Sequence, residues 1–248
     1  MTRRLRVPLS PLATGRVALD EGTGRYVARV HRLRPGDVFV AFDPEAATEA
    51  LCTVETDRLP HVEVTVGPVE TSRARARFDV SLLQAIGKGD KPDQVVRDAT
   101  VLGARRVVLV HTERTVARAE GTHKRDRERR IAVEAARQSG RGDVPEVIGP
   151  LTLDDALSGA PPALGLVLCF REDAEPLLTR LAAWQRDGAL SLLVGPEGGF
   201  SEGELEQATA AGYQPTSLGE FVLRTETAAT VALGAVQCHA ASAFLRDD

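Results

Sequence analysis

Short runs of alternating apolar and polar residues fill the first 70 positions of the chain. The clearest are Asp37–Asp43, Thr48–Asp57 and the run HVEVTVGPVE that begins at His61. Alternation with a period of two is typical of strands that bury one face, and Pro35-Gly36 and Asp43-Pro44 are turn signals between such strands. We therefore predict a small β-barrel or β-sandwich in this region.

From about residue 78 the pattern changes to short apolar runs that alternate with amphipathic segments. The apolar runs are FDVSLLQAI, RRVVLVH, Leu164–Phe170 and Leu190–Val194, and the helical segments are residues 87–103, His123–Ser139 and Glu175–Gln185. In the first helical segment, Pro92 and Gly103 are signals for a helix start and a helix end. Buried strands that alternate with helices indicate a mostly parallel α/β sheet.

The last long apolar segment runs from Thr227 to Leu245 and is about as long as a membrane-spanning helix. Gln237, His239 and many alanines make it too polar for a span, so no membrane partner is expected. Small residues around most of a helix indicate close packing, either between two subunits or against the sheet. An ordinary terminal core helix explains the same pattern.

The composition is that of a globular protein, with 43% hydrophobic and 27% charged residues among 248. The length allows two modest domains or one large one. The cysteines Cys52, Cys169 and Cys238 are widely spaced and form no CxxC pair, so neither a disulfide framework nor a zinc site is indicated. The basic N-terminus lacks the apolar core of a secretory signal, which makes the cytoplasm the expected compartment.

The charge is distributed unevenly along the chain. Residues 143–248 hold 16 acidic and 5 basic groups, whereas residues 1–142 hold 19 acidic and 26 basic groups. Eight arginines lie within residues 1–34 alone. A basic half predicts a polyanionic partner, although arginines that merely solvate the surface explain the same count.

Glycines and polar residues that follow a buried strand form the first candidate site. The strand that ends at Val194 continues into GPEGG at residues 195–199, and Ser201 with Glu204 forms a predicted capping box at the next helix. Ligands of open α/β sheets bind at this edge, where glycines allow a close backbone approach. The phosphate-binding glycine motifs are absent and Glu197 repels phosphate, so a nucleoside or zwitterion is the predicted ligand.

The second candidate site lies about 20 residues further on, in the segment SLGEFVLRTETA that begins at Ser217. We predict a short strand, an irregular turn and the start of the C-terminal helix. Thr225 is expected to cap that helix, with Glu226 in the first turn, where the helix dipole favours it. Capping alone explains the Thr-Glu-Thr sequence, and a surface ion pair explains Arg224.

Together, GPEGGFSEGELE and the later LGEFVLRTETAA resemble the signature of the RsmE-type 16S rRNA uridine-N3 methyltransferases of the SPOUT superfamily. The resemblance extends to GKGDK at residues 87–91, Glu113-Arg114, EAARQSGR at residues 134–141 with Val144-Pro145, and LRPGD at residues 33–37. It covers almost the whole chain. The order and spacing of the two C-terminal motifs make it specific.

The resemblance implies an α/β fold: a SPOUT-type, mostly parallel sheet with a C-terminal trefoil knot, preceded by a small PUA-like β-barrel. The implied domains are an RNA-binding barrel at residues 1–72 and a methyltransferase domain at residues 73–248. Family members bind S-adenosylmethionine and work as homodimers, with the terminal helix in the interface. The residues implied to surround the cofactor are Leu168, Phe170, Val194, Gly195, Pro196, Glu197, Gly198, Gly199, Leu218, Gly219, Val222 and Leu223.

The implied activity is the methylation of N3 of uridine 1498 in the 16S rRNA of the small ribosomal subunit, without a metal. Arg224 is expected to hold the uracil oxygens or a phosphate and to favour the N3 anion. Glu226 and Thr227 are expected to orient Arg224 or the base, and the identity of the proton acceptor stays open. The candidates for RNA binding are Arg3, Arg6, Arg29, Arg32 and Arg34 on the barrel, together with Lys88, Lys91, Arg137 and Arg141.

Three departures from the family pattern concern the RNA target rather than the cofactor. Residues 97–103 read RDATVLG where relatives usually carry Gln-Lys-x-x-Glu-Leu-Gly, Phe221 replaces a usual Arg, and a proline common before Glu113 is missing. Two alternatives therefore stay open: a catalytically silent RNA-binding relative, and a SPOUT methyltransferase with another rRNA or tRNA target. The retention of Arg224, Glu226 and the whole GPEGG loop favours an active enzyme.

Overall fold

The computed structural model describes residues 4–115, 122–159 and 161–242, with the backbone alone described at residues 122–125. The chain divides into two compact units. Unit 1 comprises Met1–Arg75 with Ala136–Val144, and unit 2 comprises Ala76–Ala135 with Pro145–Asp248. The domain boundary expected between residues 72 and 73 would assign residues 136–144 to the second domain, whereas they belong to unit 1.

Unit 1 is built on a six-stranded sheet. Its strands are β1 (Arg6–Pro8), β2 (Gly15–Ala18), β3 (Val38–Asp43), β4 (Thr48–Arg58), β5 (His61–Val66) and β6 (Glu70–Thr71). The strand order is β1-β3-β4-β5-β2, with β6 paired to β4. Among the described strands of this sheet, only the β1–β3 pair is parallel. Alternate residues of β4 and β5, including Cys52, Val54, Val62 and Val64, are buried in the core of this unit. The period-two pattern of the sequence therefore identified these strands correctly.

A short helical segment that the sequence pattern did not indicate connects β2 to β3. Helix α1 (Glu21–Arg25) begins after Asp20, whose Oδ1 accepts a hydrogen bond from the Thr23 amide at 3.0 Å. Hydrogen bonds from the Thr23 hydroxyl and the Thr23 amide lower the pKa of the Asp20 carboxyl. The helix continues as a π-helical turn over Tyr26–Val30, and Arg32 then takes a positive φ of 56°. The turn therefore ends in exposed basic residues.

Among the described residues, unit 2 is built on a sheet of seven parallel strands and includes six helices, the second of which ends in residues assigned to unit 1. The strands are β7 (Val80–Ala85), β8 (Arg106–His111), β9 (Glu146–Thr152), β10 (Leu164–Leu168), β11 (Glu175–Pro176), β12 (Leu190–Val194) and β13 (Tyr213–Ser217). The helices are α2 (Lys91–Val101), α3 (Thr122–Ser139), α4 (Leu153–Leu157), α5 (Leu177–Ala182), α6 (Glu202–Ala210) and α7 (Thr225–Ala241). The strand order is β11-β13-β10-β12-β7-β8-β9. The predicted parallel α/β architecture is confirmed.

Strands β7 and β12 form the centre of this sheet, and every residue of both is buried. Burial on both faces explains why these strands read as continuous apolar runs rather than alternating ones. Two of the polar exceptions make side-chain contacts: the Ser191 hydroxyl lies 2.8 Å from the Tyr213 hydroxyl, and Gln84 Nε2 donates to the Thr225 hydroxyl at the start of α7. The position of Gln84 matters for the site below.

Two elements begin elsewhere than the sequence pattern indicated. The helix expected over Glu175–Gln185 begins only at Leu177, because Glu175 and Pro176 form the edge strand β11. The strand expected from Ser217 onward instead ends there, because β13 spans Tyr213–Ser217 and residues 218–223 form no regular element. Polar residues and Pro215 interrupt the apolar pattern of β13, which hides it in the sequence.

Helix α7 packs against α2 through two polar side chains. The Thr230 hydroxyl donates to Asp98 Oδ2 at 3.0 Å, and Gln237 Nε2 donates to the Leu102 carbonyl at 2.6 Å. The second contact satisfies a carbonyl at the end of α2, where Gly103 takes a φ of +78°. Gln237 thus has a structural role in an otherwise apolar helix. None of the described helices is both long and apolar enough to cross a membrane.

Candidate active site

Three loops meet at the carboxyl edge of the parallel sheet in unit 2. They follow β10, β12 and β13, and β10 lies between the other two strands. Because parallel strands end at the same edge, residues far apart in sequence line one cavity there. The first turn of α7 closes its side, through Thr225 and Ala228.

Nearly all residues expected to bind the cofactor line this cavity. They are Leu168, Phe170, Val194, Gly195, Pro196, Glu197, Gly199, Leu218, Gly219, Val222 and Leu223. Of the other lining residues, Ser217, Thr225 and Ala228 belong to the second motif but were not expected to contact the cofactor. Thr216 lies outside both motifs, because its strand was expected to start later in the chain.

Gly198 alone among the expected cofactor residues does not line the cavity. Its carbonyl accepts a hydrogen bond from Arg114 Nη1 at 2.8 Å, and a Cβ at this position would lie 3.4 Å from the Arg114 side chain. The neighbouring Glu113 amide donates to Glu204 Oε1 at 2.7 Å. The Glu113-Arg114 pair therefore holds the outer side of the glycine loop.

The loop at residues 195–199 is fixed by a tight turn and by the helix that follows it. The Gly199 amide donates to the Pro196 carbonyl at 2.9 Å, and Gly199 has a φ of +69°. The predicted capping box is confirmed: Ser201 Oγ accepts from the Glu204 amide, and Glu204 Oε2 accepts from the Ser201 amide at 2.9 Å. The loop thus has a defined shape before any ligand binds.

Thr225 connects this loop to the sheet and does not cap α7, so the capping prediction was wrong. It is the first residue of α7, and its hydroxyl donates to the Gly195 carbonyl at 2.5 Å while accepting from Gln84 Nε2 at 2.7 Å. The N-cap residue is Arg224, whose side chain makes no capping hydrogen bond. A buried chain of hydrogen bonds therefore joins β7, α7 and the glycine loop.

Replacing Thr225 by valine is expected to lower the free energy of unfolding by about 1–3 kcal/mol, because the change keeps the shape but leaves the buried Gly195 carbonyl without its donor. Urea unfolding of the purified variant measures this loss. Thr209→Val is the matched control, since the Thr209 hydroxyl bonds to the Leu205 carbonyl of its own helix and not to a loop. Equal stability of the two variants would contradict a role for Thr225 in fixing the loop.

A lysine and two glutamates meet beside the cavity. Lys91 Nζ lies 2.7 Å from Glu197 Oε1 and 3.4 Å from Glu226 Oε2, and the Lys88 amide also donates to Glu197 Oε1 at 3.2 Å. The hydrogen bond from Lys91 holds the pKa of Glu197 at about 2, well below its usual value. The same pair raises the pKa of Lys91. Glu197 and Lys91 are therefore both charged at neutral pH.

The three residues expected to act in catalysis differ in their exposure to solvent. The carboxylate of Glu226 is buried, with only 8% of the residue exposed, and lies toward Lys91. Arg224 and Thr227 are exposed to solvent. Arg224 precedes the helix with an extended backbone, φ −66° and ψ 150°. The structure thus leaves Arg224 available to a substrate and assigns Glu226 to a contact within the chain.

Large apolar side chains are exposed where the cavity opens. Phe170, Phe221 and Val222 all line it, and Phe221 and Val222 are 82% and 83% exposed. Exposed apolar groups at a cavity mark a surface that another molecule covers. Phe221, the residue that departs from the family pattern, is among them.

The residues expected to bind RNA fall into three groups. Arg29, Arg32, Arg34 and Lys88 are exposed, although Arg34 Nη1 also contacts Asp57 at 2.8 Å. Arg6, Lys91, Arg137 and Arg141 are held by other side chains of their own units. Arg3 lies outside the described residues.

The held cations of unit 1 have specific partners. Arg6 Nη1 lies 3.0 Å from Glu49 Oε2, with its guanidinium 4.9 Å from the centre of the Phe42 ring. Arg137 donates to the Tyr26 hydroxyl and lies over the Tyr26 ring at 5.0 Å. Arg141 is buried, and its Nε donates to Asp143 Oδ1 at 2.8 Å. A neutralised or buried cation attracts phosphate less than a free one.

Comparison with known proteins identifies the family. A family model described as an RNA methyltransferase domain matches residues 74–237. Two proteins named ribosomal RNA small subunit methyltransferase E are similar over most of the chain. The one from Synechocystis is 32% identical, over 95% of this chain and 77% of its own. The one from Mycobacterium bovis is 36% identical, over 90% of this chain and 87% of its own.

The chain belongs to the methyltransferase E family. Solved structures support the assignment. A methyltransferase E from Neisseria gonorrhoeae bound to S-adenosylmethionine is 29% identical, with a TM-score of 0.84 over 95% of this chain and 98% of that one. A methyltransferase from Legionella pneumophila, also bound to S-adenosylmethionine, is 28% identical with a TM-score of 0.85 over 96% and 98%. The methyltransferase E resemblance derived from the two C-terminal motifs is therefore confirmed.

Proposed function

We propose that this chain transfers the methyl group of S-adenosylmethionine to N3 of a uridine in the 16S rRNA of the small ribosomal subunit. One observation carries the proposal: the motif residues converge on a single cavity at the sheet edge, in a chain whose relatives are rRNA small subunit methyltransferases. Two solved relatives hold S-adenosylmethionine. The family target, uridine 1498, is the proposed nucleotide.

The lining of the cavity fits the cofactor. Gly199 and Gly219 both have positive φ and both line the cavity, and a Cβ at either position would meet no atom within 4 Å. Such open space beside main-chain groups allows a ligand to approach the backbone closely. Leucine and valine side chains supply apolar surface for an adenosine. When bound, S-adenosylmethionine supplies a methyl group on a sulfonium, an electrophile that needs no metal.

The reaction requires a uridine that is out of a base pair, because N3 lies on the pairing edge and carries a proton. Such bases are accessible in RNA loops. Holding the nucleophile in line with the methyl group accounts for about 7–11 kcal/mol of barrier reduction, whereas a general base adds about 10²–10⁴-fold. Positioning is therefore the main task of the protein, and the preformed glycine loop is suited to it.

Arg224 is the proposed catalytic residue for the uracil. Its exposed guanidinium follows the cavity-lining residues Val222 and Leu223 directly. A guanidinium that donates to the uracil oxygens stabilises the negative charge that develops as N3 loses its proton. Thr227, one turn into α7 and also exposed, is proposed to orient the base. Glu226 is proposed to orient Arg224 through the helix start.

RNA binding is proposed to rest on the exposed cations Arg29, Arg32, Arg34 and Lys88. Each neutralised single-strand phosphate contributes about 0.7 to the slope of log affinity against log salt. The cytoplasm is the proposed compartment, because that is where small subunits are. The three cysteines are free thiols, as expected for a reducing compartment.

A homodimer is proposed to form through α7. Thr227, Val231 and Cys238 are exposed along one side of this apolar helix, and Val231 is 44% exposed. The trefoil knot implied by the resemblance also stays a proposal. The course of the chain after β13 supports the knot: Thr225 contacts the glycine loop, and α7 then packs against α2.

Replacing Val231 by aspartate is expected to convert the dimer to a monomer, because the charge would have to be buried in the interface. Sedimentation analysis of the purified variant measures the change. Leu178→Asp, at another exposed apolar residue of unit 2, on α5, is the matched control and should stay dimeric. A monomeric wild-type protein, or a Val231→Asp variant as dimeric as the control, would contradict the proposed interface.

The test of the activity is methyl transfer from labelled S-adenosylmethionine to small subunits from a strain that lacks this methylation. We expect the label to be recovered as 3-methyluridine after digestion of the 16S rRNA to nucleosides. Cofactor binding without labelling of any RNA would favour the catalytically silent relative. Label in another nucleoside of the 16S rRNA, or labelling of tRNA in a parallel reaction, would favour a different target.

A further inference from the structure

Lys91 forms a second link between the glycine loop and α7, beside the hydrogen bond from Thr225 to the Gly195 carbonyl. Its ammonium lies 2.7 Å from the Glu197 carboxylate on the glycine loop and 3.4 Å from the Glu226 carboxylate on α7. Lys91 itself is the first residue of α2. One side chain therefore bridges three segments that are far apart in sequence.

The Glu226 carboxylate contacts the ammonium of this bridge. It is buried, and its Oε2 atom has no hydrogen-bond partner among the described residues, so its contact with Lys91 is an ion pair. A buried carboxylate without a compensating charge is strongly destabilising. Removing the ammonium would therefore disturb the first turn of α7, which follows Arg224 directly.

The same geometry argues against a phosphate contact for Lys91. Its single positive charge faces two carboxylates, and the Lys88 amide adds only a neutral donor to Glu197. The cluster of Lys91, Glu197 and Glu226 carries a net negative charge, which repels a phosphate. Lys88, by contrast, has an exposed side chain three residues earlier.

We propose that Lys91 is a positioning residue for methyl transfer: by bridging Glu197 and Glu226, it fixes the start of α7, and Arg224 with it, against the cofactor loop. The inference rests on the proposed function, since it assigns Lys91 a role in the same reaction. It replaces the role in RNA binding that the sequence suggested for this residue.

The test compares Lys91→Met with Lys88→Met in steady-state methylation of small subunits. Lys91→Met is expected to lower kcat about 10- to 100-fold, because a small misplacement of a reacting group has an effect of this size. The KM for RNA and the slope of log affinity for RNA against log salt should be unchanged. Lys88→Met is expected to raise KM for RNA and to lower the salt slope by about 0.7. Lys91→Arg, which keeps the charge, should recover most of the lost kcat.

Two outcomes would overturn the proposal. In the first, Lys91→Met behaves as Lys88→Met does, which would make Lys91 an RNA contact. In the second, kcat and KM both stay at the wild-type values. If Lys91→Met does not fold, the double variant Lys91→Met with Glu226→Gln replaces it. This double variant lacks the unpaired buried carboxylate, so it is expected to fold and to keep the low kcat.

Hydrogen exchange separates this inference from the proposed function. With S-adenosylmethionine alone and no RNA, Lys91→Met should speed exchange of the Ala228 and Ala229 amides at the start of α7, while α6 exchanges as before. If the wild-type protein methylates no RNA but this difference in exchange is seen, the proposed activity is contradicted while the role of Lys91 in fixing α7 is supported. Unchanged exchange at α7 together with unchanged kcat in an active enzyme overturns the bridge alone.

Discussion

Replacing Arg224 by alanine is expected to lower methyl transfer about 10²- to 10³-fold, the loss typical of removing one donor from a developing negative charge. Affinity for S-adenosylmethionine should be unchanged, because Arg224 is exposed and is not among the residues that line the cavity. Transfer to small subunits and calorimetric titration with the cofactor measure the two effects separately.

Arg224→Lys is the informative companion variant. It keeps the positive charge but lacks the planar pair of donors that can bond to two oxygens of a uracil at once. Partial recovery of kcat is expected from it. A loss of cofactor affinity in a folded Arg224→Ala protein would contradict the proposed role, since Arg224 would then belong to the cofactor site.

Replacing Gly199 by valine is expected to abolish detectable binding of S-adenosylmethionine. Gly199 has a φ of +69°, a conformation that costs a non-glycine residue about 1–2 kcal/mol and a β-branched residue more. Its amide also closes the turn onto the Pro196 carbonyl, so a shift in φ moves the loop that lines the cavity. Calorimetric titration with the cofactor measures the loss.

Gly203→Ala is the matched control for this variant. Gly203 is exposed in α6, four residues further on, and a Cβ there would meet no atom within 4 Å. Alanine in an exposed helix is expected to stabilise the protein by about 0.5–1 kcal/mol without affecting cofactor binding. A Gly199→Val protein that binds the cofactor as tightly as Gly203→Ala would show that the turn does not shape the site.

The elements that the sequence predicted well are those in which one local signal is strong. Buried strands such as β7 and β12 appear as continuous apolar runs, and β4 and β5 appear as alternating ones. The capping box of Ser201 and Glu204 is a local motif that the structure reproduces. Strand β13 was misplaced because Gln214, Pro215 and Thr216 give it no apolar pattern, although it pairs with β10 and β11.

The cavity itself was predictable because the residues that line it follow the ends of strands and form short motifs that are continuous in the sequence. The contacts that fix the shape of the cavity join residues that are far apart in the sequence. Gln84 and Thr225 are 141 positions apart, and Lys91 and Glu197 are 106 positions apart. In the sequence, the position of Thr225 at a helix start predicts a cap, and the position of Lys91 in the basic half predicts an RNA contact. Their actual partners, the Gly195 carbonyl and the Glu197 carboxylate, come close only in the folded chain.

Reverse transcription of 16S rRNA from treated small subunits tests the central claim most directly, because a methyl group on N3 blocks base pairing and stops the polymerase. Subunits from a strain lacking the modification are incubated with the protein, with and without S-adenosylmethionine. The account predicts one new stop, at the family target uridine, that requires the cofactor and is lost with Arg224→Ala. Methyl incorporation into the subunit without that stop would contradict it.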